Sequence, residues 1–134
     1  MKKAEIIRGL FIGYTRHKRS IDPTDAGTCR YEVNGNKCVV GRMLKPKCLS
    51  VWKAYENKRS FSVEAAMARV APRSTLAPDV WLTTQLAKKF SFITVEMATE
   101  LQLIHDSDSF WDADGMTLAG EDELNGLLCK LGLE

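Results

Sequence analysis

Asn34-Gly35 lies at the centre of CRYEVNGNKCVVG, residues 29 to 41. Both central residues of a type I′ turn need positive φ, which Asn and Gly tolerate, so the pair predicts a β-hairpin over about residues 29–40. The turn sets Val33 opposite Asn36, Glu32 opposite Lys37 and Tyr31 opposite Cys38. Strand alternation then puts Cys29, Tyr31, Val33, Cys38 and Val40 on one face, with Arg30, Glu32, Lys37 and Val39 on the other.

The rest of the chain reads as short helices. Ile7, Leu10, Phe11 and Tyr14 follow the i, i+3, i+4, i+7 rule and predict a helix over 3–18. Residues 20–28, with Asp22-Pro23 and Ala26-Gly27, form a loop by their turn chemistry. Pro46 opens a short helix carrying Leu49, Trp52 and Tyr55, since proline in a first turn loses no internal hydrogen bond. Ser62 caps the next, with Val63, Ala66, Met67 and Val70 inward, and Pro72 ends it. Pro78 starts another, with Leu82, Leu86 and Phe90 on one face. Thr94 caps a helix whose Met97, Leu101 and Ile104 face the core, and Leu124, Leu127, Leu128 and Leu131 mark a last one. The expected fold is α+β: one small, predominantly helical domain, residues 1–134, with a single hairpin.

A length of 134 residues suits one compact core, and 45% hydrophobic residues exclude a disordered or fibrous chain. No apolar run approaches the ~20 residues that span a bilayer. The amino-terminal stretch is interrupted by Glu5, Arg8 and Arg16 and is read as an amphipathic helix rather than a signal peptide. A cytoplasmic setting follows as an expectation, with Cys29, Cys38, Cys48 and Cys129 as thiols. Charge is uneven: residues 1–73 carry 16 Lys plus Arg against six Asp plus Glu, and residues 74–134 carry three against 11. Such polarity steers a nucleic acid to one end or a basic partner to the other, unless the halves neutralise each other on folding.

Cys29-x8-Cys38-x9-Cys48 lacks the close cysteine pair of a zinc knuckle, and no metal or cofactor is expected. The hairpin cysteines are read as small core hydrophobes. The sharper alternative is a cysteine-dependent enzyme, with Cys38 as thiolate nucleophile, His105 as base and Asp106 orienting the imidazole. On the helical wheel His105 falls about 80° from the centre of its stripe, taking ~100° per residue, and in the last turn. The structural reading there is an imidazole at the edge of the core that serves the helix carbonyls, with Asp106 holding the following turn.

Cys29-x-Tyr31, Gly35, Cys38-x-x-Gly41 and Met43-Leu44, joined to Leu101-Gln102-x-Ile104-His105-Asp106 and Trp111, resemble a family of small phage, prophage and bacterial proteins. The resemblance spans about residues 5–131 and implies a phage or mobile-element origin rather than a particular chemistry. Relatives of this type often carry an acidic segment after the glycine motif, where this chain has Lys45-Pro46-Lys47.

Asp106, Asp108, Asp112 and Asp114 offer hard oxygen ligands, but no EF-hand register fits. Counting from Asp112 leaves Met116 and Thr117 where a ligand and a glycine belong. The loop 106–115 is expected to project carboxylates into solvent. Phe110 and Trp111 either anchor it to the core or form an exposed aromatic tip. Without a phosphate cradle or serine nucleophile motif, the leading expectation is a non-enzymatic, phage-type accessory protein. It would bind a host macromolecule, most simply a protein of a defence or nucleic-acid-processing system. The contacts assigned to it are Arg16, Lys18, Arg19, Arg42, Lys45, Lys47, Phe110 and Trp111. Direct nucleic-acid binding through the basic half is a further alternative.

Overall fold

The structure, a computed structural model, describes residues 2–22, 28–29, 32–33, 35–48 and 78–133. The helices expected around Trp52 and Met67 lie outside the described residues, as do Tyr31 and its pairing with Cys38. The described chain is α+β. Its elements are α1 (Lys3–Gly9), β1 (Ile21–Asp22), β2 (Thr28–Cys29), β3 (Glu32–Val33), β4 (Asn36–Lys37), α2 (Val39–Met43), α3 (Pro78–Gln85), α4 (Val95–Asp106), β5 (Trp111–Asp112), β6 (Gly115–Met116) and α5 (Leu118–Lys130). Single 3₁₀ turns, Lys88–Phe90 and Asp108–Phe110, lie before and after α4. None of the described helices is long and apolar enough to cross a membrane.

The hairpin has the register the Asn-Gly turn demands, Glu32 with Lys37 and Val33 with Asn36, and Gly35 takes φ +82°. It is shorter than its alternation suggests. Cys38 leaves the strand and becomes the N-cap of α2, its Sγ accepting from Gly41 N–H at 3.2 Å. Val39 and Val40 are therefore helical and both buried, not on opposite faces of a strand. Helix α1 likewise ends early. After Gly9 the bonds tighten to i→i−3, with Leu10 N to Ile7 O at 3.0 Å and Phe11 N to Arg8 O at 3.1 Å. This tighter run still delivers Ile7, Leu10, Phe11 and Tyr14 to the interior.

Helix α4 packs against α2, α3 and α5. It is capped as expected: Thr94 Oγ1 accepts from Met97 N–H at 3.1 Å, and Met97, Leu101 and Ile104 are buried. The ends of α2 and α3 are joined by paired backbone bonds, Lys45 N to Gln85 O at 2.9 Å and Ala87 N to Met43 O at 2.8 Å. Phe90 reaches the core from its own 3₁₀ turn and not from α3.

The acidic loop is more ordered than expected. Trp111 pairs with Met116 and Asp112 with Gly115 in a short ladder. The Asp112 carboxylate closes that turn by accepting from Asp114 N–H at 2.8 Å and Gly115 N–H at 3.0 Å. Gly120 sits so close to Phe110 that a β-carbon there would lie 2.7 Å from the Phe110 carbonyl oxygen. The absence of a side chain therefore sets how closely α5 seats on the loop.

Candidate functional site

His105, Asp106 and Cys38 make up the catalytic alternative offered by the sequence, and their surroundings decide what they can do. The end of α4 leaves carbonyls that its own helix cannot satisfy. Ser107 N–H and Oγ serve Leu103 O, the Trp111 indole N–H serves Ile104 O at 3.0 Å, and Arg19 Nη1 serves His105 O at 2.8 Å. The cation near the helix terminus also suits its dipole. Arg19 is only 3% exposed; its Nε donates to Arg16 O, and its remaining fork nitrogen pairs with the Asp108 carboxylate. It is thus a built-in clasp. Its assignment to the partner surface is corrected, because a buried guanidinium with these acceptors cannot meet an external ligand.

Wedged behind this clasp, His105 is fully buried rather than at the core's edge. Residues 19 and 20 cover the side of α4 that the stripe left open, and the Tyr14 ring meets the imidazole edge-on at 5.0 Å. Ser20 N–H donates to Nε2 at 3.2 Å, which requires a lone pair there. Nδ1 lies 2.7 Å from Asp106 Oδ1, which as a carboxylate can only accept. Both contacts fix the same tautomer, with the proton on Nδ1 and the ring neutral; Gln102 Nε2, 3.3 Å from Nδ1, is then a neighbour of that nitrogen and not its donor. Gln102 Nε2 donates to the same Asp106 oxygen at 2.8 Å while its Oε1 accepts from Val40 N–H at 3.3 Å, tying α4 to α2. Burial pushes the imidazole below its ordinary pKa, outweighing the opposing pull of Asp106. The ring does not touch the helix carbonyls, the role expected of it; Arg19 and Trp111 fill that role.

Tyr14 completes the cluster. Its hydroxyl donates to Lys37 O at 2.6 Å, and burial holds the phenol well above its usual pKa, against the lowering effect of Arg42. The Arg42 guanidinium lies 3.6 Å from the centre of the Tyr14 ring and donates to Leu10 O and Ile12 O. Trp111 is buried, stacked on Phe11 at 6.2 Å and edge-on to Tyr14 at 5.6 Å. The exposed aromatic tip is corrected accordingly: Trp111 is the anchor, and Phe110 is only partly exposed.

Of the remaining expected contacts, Lys18 and Lys47 are exposed. Arg16 is exposed but reaches back to Trp111 O at 3.0 Å, and Lys45 Nζ donates to Thr84 O at 2.9 Å. Among the described residues no group of three His, Cys, Asp or Glu side chains could hold a metal ion. Sequence reasoning missed Tyr14, Ser20 and Gln102 as the surroundings of His105. The i, i+3 spacing of Gln102 and His105 on one helix was the available signal for Gln102.

With Cys38 buried and its sulfur accepting at the start of α2, Cys38→Ala is expected to lower stability by about 1–2 kcal/mol from the lost cap and a small cavity. Urea denaturation measures the loss. Elemental analysis of both proteins should show the same metal content, and zinc lost with the thiol would refute the packing role.

Ile12 is 73% exposed, off the α1 stripe, between two shallow grooves. One, about 350 Å³, has Phe11, Met116 and Leu124 in its wall beside Arg8, Glu121 and Asn125; the other, about 420 Å³, has Ile6, Leu10 and Phe90 beside Glu5, Arg42 and Lys89. Compared with protein-family models, curated proteins and solved structures, the chain matches none.

Proposed function

We propose that this chain is a non-enzymatic, phage-type accessory protein that works in the host cytoplasm by binding a host protein, most simply a component of a defence or nucleic-acid-processing system. The observation that carries the reading is the state of His105: a fully buried imidazole with Ser20 on one nitrogen and Asp106 on the other. A general base needs an acceptor nitrogen within reach of the proton it removes. Here that acceptor already holds a backbone amide. The residues that most resembled a catalytic set instead pack within the fold, His105 and Asp106 against Tyr14, Ser20 and Gln102, and Cys38 at the start of α2.

What remains for function is surface. An exposed isoleucine between two grooves that mix apolar walls with charges of both signs favours a protein partner over a polyphosphate, which would need converging cations. Affinity purification from the native host, followed by nuclease treatment and mass spectrometry, tests the reading. One host protein retained in fixed proportion after nuclease is expected. Material that nuclease removes would replace this reading with direct nucleic-acid binding, and an empty eluate would overturn it.

A further inference from the structure

We infer that residues 15–20 form a strap, held shut by contacts to the end of α4, that opens as a local unit in acid while the helices stay folded. The inference goes beyond protein binding and does not depend on it.

The strap reads Thr15-Arg16-His17-Lys18-Arg19-Ser20 and contains no apolar side chain. Each end is fixed. On one side Tyr14 is buried and its hydroxyl donates to Lys37 O; on the other, Ile21 and Asp22 pair with Cys29 and Thr28. Between these anchors the strap is latched by polar contacts. Arg16 N–H donates to Asp112 O at 2.9 Å and its Nε to Trp111 O, Arg19 spans His105 O and the Asp108 carboxylate, and Ser20 N–H donates to His105 Nε2. A segment that contributes no apolar side chain to the core belongs to the low-stability end of a fold, because opening it breaks far fewer contacts than unfolding the helices.

The neighbours of His105 direct the effect of a proton onto this segment. On its own helix, Asp106 takes the Nδ1 proton and attracts an imidazolium. On the strap, Ser20 aims an N–H at Nε2 and the Arg19 guanidinium lies close by, and both oppose a proton on that nitrogen. Arg42 opposes it from α2 but is held over the Tyr14 ring by Leu10 O and Ile12 O, and Tyr14 itself keeps its phenol proton because it is buried. Of these groups the strap alone can withdraw without unwinding a helix. His17, exposed on the strap, favours Asp108 as a carboxylate when charged and so acts weakly in the closing direction. Burial keeps the closed ring neutral below the ordinary imidazole range, against the smaller pull of Asp106. With the strap withdrawn, water reaches Nε2 and the ring titrates near its ordinary value of about 6.5. The open state then binds a proton that the closed state refuses, so its population rises as the pH falls through that value, by up to about tenfold per pH unit.

Native-state hydrogen exchange of the wild-type protein between pH 7.5 and 5, in water and in low urea, tests the strap. The Ser20 amide is compared with the Leu101 amide inside α4, each rate corrected for the pH dependence of intrinsic exchange. Ser20 should open at least about tenfold more often than Leu101 and show little response to urea, the mark of a local opening. Its opening constant should climb towards tenfold per pH unit below about pH 6.5. His17→Gln should keep that climb and His105→Gln should abolish it. Exchange of Ser20 with the same opening constant and urea response as Leu101 would overturn the strap, since the segment would then open only with the whole fold. A Ser20 opening constant indifferent to pH, or an acid response lost in His17→Gln, would overturn His105 as its trigger. Should His105→Gln fail to fold, the wild-type comparison and His17→Gln still decide.

Discussion

Trp111→Ala is expected to remove about 3–5 kcal/mol of stability, the range for deleting a large buried aromatic side chain. Three losses coincide. The ring is fully buried between Phe11 and Tyr14, so its removal opens a cavity lined by the tight run that follows α1. Its indole N–H is the donor to Ile104 O, one of the carbonyls that α4 cannot satisfy from within. Its own carbonyl receives Arg16 Nε, so loosening residue 111 also loosens the segment that leads to Arg19. A domain of this size has only about 5–15 kcal/mol in total, and the melting temperature should fall by roughly 10–20 °C. Trp111→Phe separates the contributions. It keeps an aromatic ring but leaves Ile104 O without its donor, and should lose about 1–3 kcal/mol. If Trp111→Ala melts within a few degrees of the wild-type protein, the indole is not the centre of the core.

The same residue shows what a sequence can and cannot disclose. The apolar periods of α4 and α5, the Thr94 cap and the Glu32–Lys37 register were all legible, because each depends on neighbours a few residues away. The end of the hairpin was not. Cys38 at the strand's close and Cys38 at the start of a helix satisfy the same local pattern, and the burial of Val39 and Val40 together with the bond from Val40 N–H to Gln102 Oε1 settles it. Arg19 was read as surface because arginine usually is. Its burial depends on two carbonyls and a carboxylate, the farthest of them 89 residues along the chain, that no local window contains. Trp111 could be drawn either inward or outward until Ile104 O was placed beside it. Ile12 was visible as an apolar residue off the α1 stripe, but the grooves beside it are made by α5 and the turn at Phe90, which a helical wheel of α1 cannot show.

Lowering the pH should destabilise the fold through His105, with a sign that the geometry fixes. In the unfolded chain an imidazole takes up its proton as the pH falls through about 6.5. In the folded chain burial disfavours the imidazolium, and the nearby cations of Arg19 and Arg42 oppose it further, against the smaller favourable effect of Asp106. Between the two midpoints the unfolded state binds more protons than the folded one, so stability falls as the pH falls. The slope should approach about 1.4 kcal/mol per pH unit for the one proton involved. A second, smaller loss belongs to more acid conditions. Arg19 holds the Asp108 carboxyl below its usual range, but that side chain is 76% exposed and well screened. The structural cause at His105 is specific: protonating Nε2 would set an N–H against the Ser20 N–H that now donates to it. Denaturant unfolding between pH 7.5 and 5 measures the slope, and His105→Gln, which cannot titrate, should be less stable at neutral pH but flatter across that interval. Nitrogen NMR of the ring provides the independent check, since the proton should sit on Nδ1 throughout. A flat wild-type profile, or a ring protonated on Nε2 at neutral pH, would mean that the amide of Ser20 is held by some other group and that His105 keeps a free nitrogen for chemistry.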